Sequence, residues 1–180
     1  MGTLKQLLPL GDRPLIRICI ENIIASGVKD IVVVLPGNGG KISDALSGLP
    51  VNITFNNNTE SDMAASVSAG LLVAKASSSS IMVCLCDHPL ITAGTFLTLI
   101  TAHRQSPGKI VVPIFQGKKG HPSIFPRHTL KEISSGSTMR QIIQKDARRV
   151  SRIEVTDEGV VLDMDTLNDY AEMLRRFRND

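Results

Sequence analysis

The sequence predicts an α/β fold, doubly wound around a mainly parallel sheet, and three observations carry that prediction. Short apolar, β-branched runs alternate with longer stretches whose apolar residues recur at helical spacing, the pattern of strand–helix–strand units. The run Ile81-Met82-Val83-Cys84-Leu85-Cys86 is apolar throughout and stops at Asp87-His88-Pro89, as a strand covered on both faces would. Capping-box-like starts, Thr59 with Asp62 and Thr166 with Asp169, stand before apolar-periodic segments.

Taken in order, Met1 to Gly11 reads as an extended loop. Pro14 opens a helix at its favoured first turn, with Leu15, Ile16, Cys19, Ile20 and Ile23 at helical spacing and Gly27 as its stop. Ile31 to Leu35 is a strand; Pro36-Gly37-Asn38-Gly39-Gly40 is a loop into a short helix that runs to Leu46; Val51 to Phe55 is the next strand. A helix from Met63 carries Val67, Gly70, Leu71 and Ala74 on one stripe, and the serine run Ser77–Ser80 turns the chain into strand 81–86. Thr92 caps a helix bearing Phe96, Leu97 and Ile100.

Ile110 to Phe115 is a strand, Gly117-Lys118-Lys119-Gly120 a hairpin turn, and Ser123-Ile124-Phe125 is expected to pair back across it as a small antiparallel insertion. Short helices are expected over 129–133 and 138–145, strands over 150–155 and 160–164, and a last helix packing Leu167, Tyr170, Ala171, Leu174 and Phe177. No internal repeat or domain boundary is visible, so residues 1–180 read as one domain.

Composition narrows the function. Hydrophobic content of 42% and charged content of 21% are those of a globular protein. With no tryptophan and one tyrosine, stacking platforms for single-stranded nucleic acid are scarce. The net charge is +3, and the clusters Arg148-Arg149 and Arg175-Arg176/Arg178 read as solvated faces. Nucleic acid and membrane are therefore not expected partners. No apolar run approaches the roughly 18 residues of a membrane helix. Cys19, Cys84 and Cys86 are odd in number and lie in apolar settings, which argues for a reducing cytoplasm.

Polar clusters fall where open α/β sheets place their sites, at strand ends and in loops: Lys5, Asn57/Asn58 with Asp62 and Ser66, Asp87 with His88, Gly120-His121-Pro122, and Asp163/Asp165 with Thr166. Two carboxylates from distant strand ends can share one divalent ion, and magnesium takes one or two carboxylates plus phosphate oxygens. A lysine nearby would balance charge on a transferring phosphate. The pattern fits phosphoryl or nucleotidyl transfer. Each residue also has a structural reading: Asp87 as a turn former, His88 as a strand cap, Asp163 and Asp165 as helix caps, His121 as a turn residue.

Met1 to Gly11, MGTLKQLLPLG, resembles the back half of LAAGxSxRMGxxKxLLPLxG, the signature of the molybdenum-cofactor nucleotidyltransferases in the MobA-like NTP transferase superfamily. Leu85-Cys86-Asp87-His88-Pro89 is similar to the family's metal-binding aspartate motif, and Asn57 to Gly70 to its N…GMxxSxxxGL helix. Gly120 to Phe125 is similar to GHPxLF, and Gly159 to Tyr170 to the ending G…DIDTPEDY. The matches run in family order along the chain.

The resemblance implies a Rossmann-like, nucleotide-diphospho-sugar-transferase-like fold and Mg²⁺-dependent transfer of a nucleotide, CMP from CTP in the branch it most resembles, to the phosphate of a molybdopterin-type cofactor with release of pyrophosphate. GTP is the other candidate donor, and a molybdenum hydroxylase the protein that would receive the product. By the same resemblance Lys5 contacts the triphosphate, Asp87 and Asp165 hold the metal, Asn58, Met63, Ser66 and Leu85 face the nucleotide, and His121 lies towards the acceptor. The front half, LAAGxSxR, does not occur in the sequence, so the first strand and the phosphate loop are expected to be missing and the edges of 31–35 and 81–86 unpaired. The competing reading is a non-catalytic cofactor-binding or maturation protein. Asp62 replaces a family glycine, Leu167 a proline, and Gly136 to Arg140 only echoes GDxGAR.

Overall fold

Residues 4–58, 63–133 and 136–177 are described by the computed structural model. The chain starts with a 3₁₀ turn, Lys5–Leu7, and a two-residue ladder between β1 (Pro9–Leu10) and β2 (Arg13–Pro14). Helix α1 (Leu15–Ala25) begins directly after Pro14, whose missing N–H costs nothing at a helix start. It is buried on two sides. Ile16, Ile20 and Ile23 join one apolar cluster, and Leu15, Ile18 and Cys19 join another with Leu10, Met164 and Met173.

Strands β3 (Val32–Pro36) and β4 (Asn52–Asn56) are parallel, in register from Val32↔Asn52 to Pro36↔Asn56. Helix α2 (Gly40–Ala45) lies between them in sequence, and α3 (Met63–Val73) packs on both strands. The second sheet contains β5 (Ser80–Val83), β6 (Ile110–Phe115), β7 (Lys118–Lys119), β8 (Ser123–Pro126) and β9 (Val150–Glu154), in the order β5-β8-β6-β7 with β9 also on β6. The longest ladders, β3–β4 and β6–β9, are parallel. Helices α4 (Ala93–Gln105), α5 (Arg127–Leu130), α6 (Met139–Lys145) and α7 (Leu167–Phe177) complete the chain. The α/β class predicted from periodicity is the class observed.

Caps at Thr92 and Thr166 follow the expected chemistry, and Thr138 adds a third that was not singled out. The Thr92 and Thr138 hydroxyls accept from Thr95 N and Gln141 N, and Thr166 and Asp169 bond reciprocally at 2.7 and 3.2 Å. The Thr59/Asp62 pair lies outside the described residues.

Three local expectations are corrected. The strand expected over 81–86 ends at Val83 and runs antiparallel to β8, because the next rung would fall on Pro122, which has no N–H to give. Ser123–Phe125 pairs antiparallel with β6 as expected, at Val111↔Ile124, but Lys118–Lys119, read as part of the turn, forms the tight hairpin strand β7. The strand expected over 160–164 is a 3₁₀ turn, Glu158–Val161, followed by irregular chain. Val160 and Met164 are fully buried there, so burial without ladder pairing produced the strand-like signal.

Among the described residues no backbone ladder joins β3 to β5. Side chains join them instead: Val33 and Leu35 share one cluster with Met82, Cys84 and Cys86. The three cysteines are free thiols, and burial pushes Cys84 up to about 12. Among the described residues no helix is long and apolar enough to cross a membrane.

Candidate active site

Three chain segments distant in sequence meet at the turn after β5. Met164 N donates to Asp87 O at 3.0 Å, which fastens the 163–165 segment to that turn. The opening loop is held to the same place from the other side. Leu10 is fully buried against Met164 and Met173, and Tyr170 Oη donates to Pro9 O. Apolar burial of this kind contributes about 25 cal/mol per Å², so the loop's approach is set by packing and not by the charges it carries.

Lys5 is thereby placed between two carboxylates. Its Nζ donates to Asp165 Oδ1 at 3.1 Å, to Met164 O at 3.3 Å and to Asp87 Oδ2 at 3.4 Å. Partial burial pulls the Lys5 ammonium down, but its hydrogen bond to Asp165 and the charges of Asp87 and Asp165 outweigh that and raise it. Lys5, Asp87 and Asp165 are therefore brought together.

The other oxygen of Asp87, Oδ1, is buried with no hydrogen-bond partner. An unpartnered buried carboxylate oxygen is costly and calls for a cation. With Asp165 beside it, the donor set is two hard carboxylate oxygen ligands. Among the described residues no group of three or more His, Cys, Asp or Glu side chains could form a protein-only metal cage. Two carboxylates without a cage suit an ion that completes its shell with phosphate oxygens and water, so the residues fit a magnesium-type ion.

Two histidines line the inner wall. His88 is buried, with Nδ1 3.4 Å from Gly159 O and Nε2 3.8 Å from Asp87 Oδ1. Its ring is 5.1 Å from that of His121, tilted by 40°. His121 N donates to Val160 O at 2.8 Å, and its Nδ1 is buried without a partner. Burial, then the neighbouring His88, hold the His121 imidazole below its ordinary value, so the neutral ring is favoured. The approach of the two segments depends on glycine: a Cβ on Gly120 would run into the Val160 carbonyl, and one on Gly159 would stand 2.7 Å from Leu90 O.

The 3₁₀ turn that carries Gly159 and Val160 is pinned by Asp157. Its Oδ2 accepts from Thr92 N at 2.9 Å, Thr92 Oγ1 at 3.0 Å and Thr95 Oγ1 at 2.6 Å, while its Oδ1 accepts from Gly159 N at 2.9 Å. One carboxylate thus caps α4 and fixes the turn behind the histidine pair.

Three of the four nucleotide-facing candidates stand at the other sheet, and Leu85 stands beside Asp87. Asn58 follows β4, and Met63 and Ser66 lie in α3. Ser66 Oγ is tied to Asn56 and not to Asp87. Leu85 is half-buried on the segment leading into the Asp87 turn. Sequence reasoning grouped His88 with Asp87, with a strand cap as its alternative reading, and did not single out Asp157. The repeated His-Pro pair, His88-Pro89 and His121-Pro122, was the available signal for the first.

Comparison with known proteins places the chain in a domain family and a fold. The family model for the MobA-like NTP transferase domain matches residues 1–154. No curated protein sequence matches the chain. Among solved structures, a Mycobacterium sp. strain JC1 homologue of Rv0371c is 26% identical with a TM-score of 0.84, covering 99% of this chain and 90% of its own. Rv0371c of Mycobacterium tuberculosis H37Rv is 24% identical with a TM-score of 0.84 over 97% and 90% of the two chains; it is also known as a complex with manganese, at 21% identity and a TM-score of 0.78 over 95% and 91%. The 2-C-methyl-D-erythritol 4-phosphate cytidylyltransferase of Thermus thermophilus shares the fold at 17% identity, with a TM-score of 0.74 over 98% and 95%.

Proposed function

The chain belongs to the MobA-like NTP transferase domain family and is a nucleotidyltransferase, and from that premise we propose that it transfers CMP from CTP to the phosphate of a molybdopterin-type cofactor, releasing pyrophosphate, with Mg²⁺ as its metal. The whole chain, 1–180, acts in this reading as one nucleotidyltransferase-like domain. The observation that carries it is the meeting of Lys5, Asp87 and Asp165 beside an unpartnered buried Asp87 oxygen.

Asp87 and Asp165 would hold the ion. A bound magnesium supplies positive charge to the triphosphate oxygens and orients them. Lys5 adds a compact point charge for the same oxygens. Asn58, Met63, Ser66 and Leu85 face the nucleotide. His121, neutral and with a buried Nδ1 lacking a partner, faces the acceptor, where the ring can make one hydrogen bond without adding charge. The attacking phosphate is already ionised, so no general base is required, and catalysis is positioning and charge neutralisation. The manganese complex of the mycobacterial relative and the cytidylyltransferase neighbour support divalent-metal nucleotide chemistry as the class. A molybdenum hydroxylase that receives the finished cofactor is the partner this reading implies.

The test is pyrophosphate release from CTP and a molybdopterin-type acceptor with Mg²⁺, run beside GTP and ATP. CTP is expected to be the preferred donor, and Asp87→Asn to lose at least about a hundredfold. Full activity of Asp87→Asn would remove Asp87 from the metal site; preference for GTP would overturn the cytidylyl assignment.

A further inference from the structure

At the carboxyl end of β4 a single side chain is bonded on both faces. Asn56 is half-buried at the last position of the strand. Its Oδ1 accepts from Asn58 N at 3.1 Å, and its Nδ2 donates to Ser66 Oγ at 3.2 Å across the strand–helix junction. The amide has one allowed orientation. A backbone N–H can only donate, so the atom facing Asn58 N is the oxygen, and the NH₂ must face Ser66. The neighbouring residue is held as well. Gly37, in the loop after β3, leaves space that Asn57 fills: Asn57 Oδ1 lies 2.7 Å from where a Gly37 Cβ would stand.

We propose that Asn56 is a positioning and specificity-determining residue: by donating to Ser66 Oγ it commits the Ser66 hydroxyl to act as a hydrogen-bond donor towards the nucleotide base. A hydroxyl has one proton and two lone pairs. With one lone pair taken by Asn56, Ser66 offers its proton outward, and the base it selects must present an acceptor, such as a ring carbonyl or an unprotonated ring nitrogen, at that point. The same amide holds the backbone of Asn58, so two of the four nucleotide-facing candidates are set by one residue that does not itself have to touch the ligand. This inference rests on the reading of Asn58 and Ser66 as nucleotide contacts.

Aspartate at 56 separates this role from simple support. Asn56→Asp keeps an oxygen for Asn58 N but cannot donate, so Ser66 turns its own proton inward and presents a lone pair to the base. Binding of ATP, CTP, GTP and UTP with Mg²⁺ is measured by calorimetry for the wild-type chain, Asn56→Asp, Ser66→Ala and the double variant, with Asn56→Ala read alongside as an uncharged replacement should the aspartate variant fail to fold. The wild type is expected to prefer one triphosphate. Each single variant is expected to bind it roughly tenfold more weakly and to discriminate less among the four. The double variant is expected to match Ser66→Ala within about twofold, since Asn56 acts through Ser66. Additive losses, or unchanged discrimination in a folded Asn56 variant, overturn the inference and leave the transferase reading standing. A wild-type chain that binds none of the four overturns both.

Discussion

Lys5 and Asp165 stand 160 positions apart in the sequence, and Lys5 Nζ donates to Asp165 Oδ1 at 3.1 Å. The same ammonium reaches Asp87 Oδ2 at 3.4 Å, so one cation is shared by the two carboxylates assigned to the metal. In the proposed reading such an ammonium would compete with an ion for those oxygens until a triphosphate drew it away.

Lys5→Met is therefore expected to change two quantities in opposite directions. Nucleotide transfer falls by about a hundredfold with the loss of its charge at the phosphates. Binding of Mn²⁺ without nucleotide tightens roughly tenfold, because the paired carboxylates lose their internal counter-ion. Electron paramagnetic resonance titration with Mn²⁺ measures the second, and weaker ion binding in Lys5→Met would separate Lys5 from the metal site.

Asp157→Ala removes four hydrogen bonds that tie the start of α4 to the 3₁₀ turn at Glu158–Val161. A hydrogen bond to a charged group contributes about 1.5–3 kcal/mol net; because Asp157 is only half-buried and water re-solvates the freed donors, a loss of about 3 kcal/mol in urea denaturation is expected. Because Gly159 O faces His88 and Val160 O faces His121, transfer activity at saturating substrate should fall as well. A stable variant with wild-type activity would contradict both.

Arg127 closes the far end of α3. Its Nη1 donates to Lys75 O at 2.7 Å, and its Nη2 donates to Leu71 O at 3.1 Å and Ala74 O at 3.4 Å, which satisfies carbonyls that a helix end leaves open and places a cation at the negative pole. Arg127→Met should cost about 2 kcal/mol and speed amide exchange along α3. Unchanged exchange there would mean that water replaces the arginine without penalty.

Stability should also fall as the medium becomes mildly acidic. Burial holds the His103 imidazole, with Nε2 2.7 Å from Ser80 Oγ, below its usual value; burial and His88 do the same to His121. A folded value below the unfolded one means that the unfolded chain binds more protons between them, so the contribution is complete above the unfolded value near 6.5 and is lost as pH falls towards the folded one. Urea midpoints at pH 7.5 and 5.5 test this. His103→Gln should flatten the dependence, and an equal drop in variant and wild type would exclude His103 as a source.

Some of this was legible from local pattern alone. The threonine caps at 92 and 166 depend on spacing within one turn, and helix α1 starts where Pro14 predicts. The strand over 160–164 was misread because Val160 and Met164 are buried as plugs under a turn, and alternation of buried residues is blind to where backbone hydrogen bonds go. The end of β5 was misread because its limit is set by a proline distant in sequence, Pro122, which directly precedes the partner strand β8.

The sequence by itself determined the α/β class, the order of its longer strands and helices and the residue types of the site, because helix and strand periods and cap chemistry act over a few neighbouring residues. Only the tertiary structure decided that Lys5, Asp87 and Asp165 are one group. Their contacts span 82 and 160 positions, and they follow from the burial of Leu10 against Met164 and Met173 and from Met164 N bonding to Asp87 O. The same holds for Asn56, whose amide faces Ser66 because α3 packs over β3 and β4: packing, a sum over the whole chain, set the direction of a hydrogen bond that no local pattern contains.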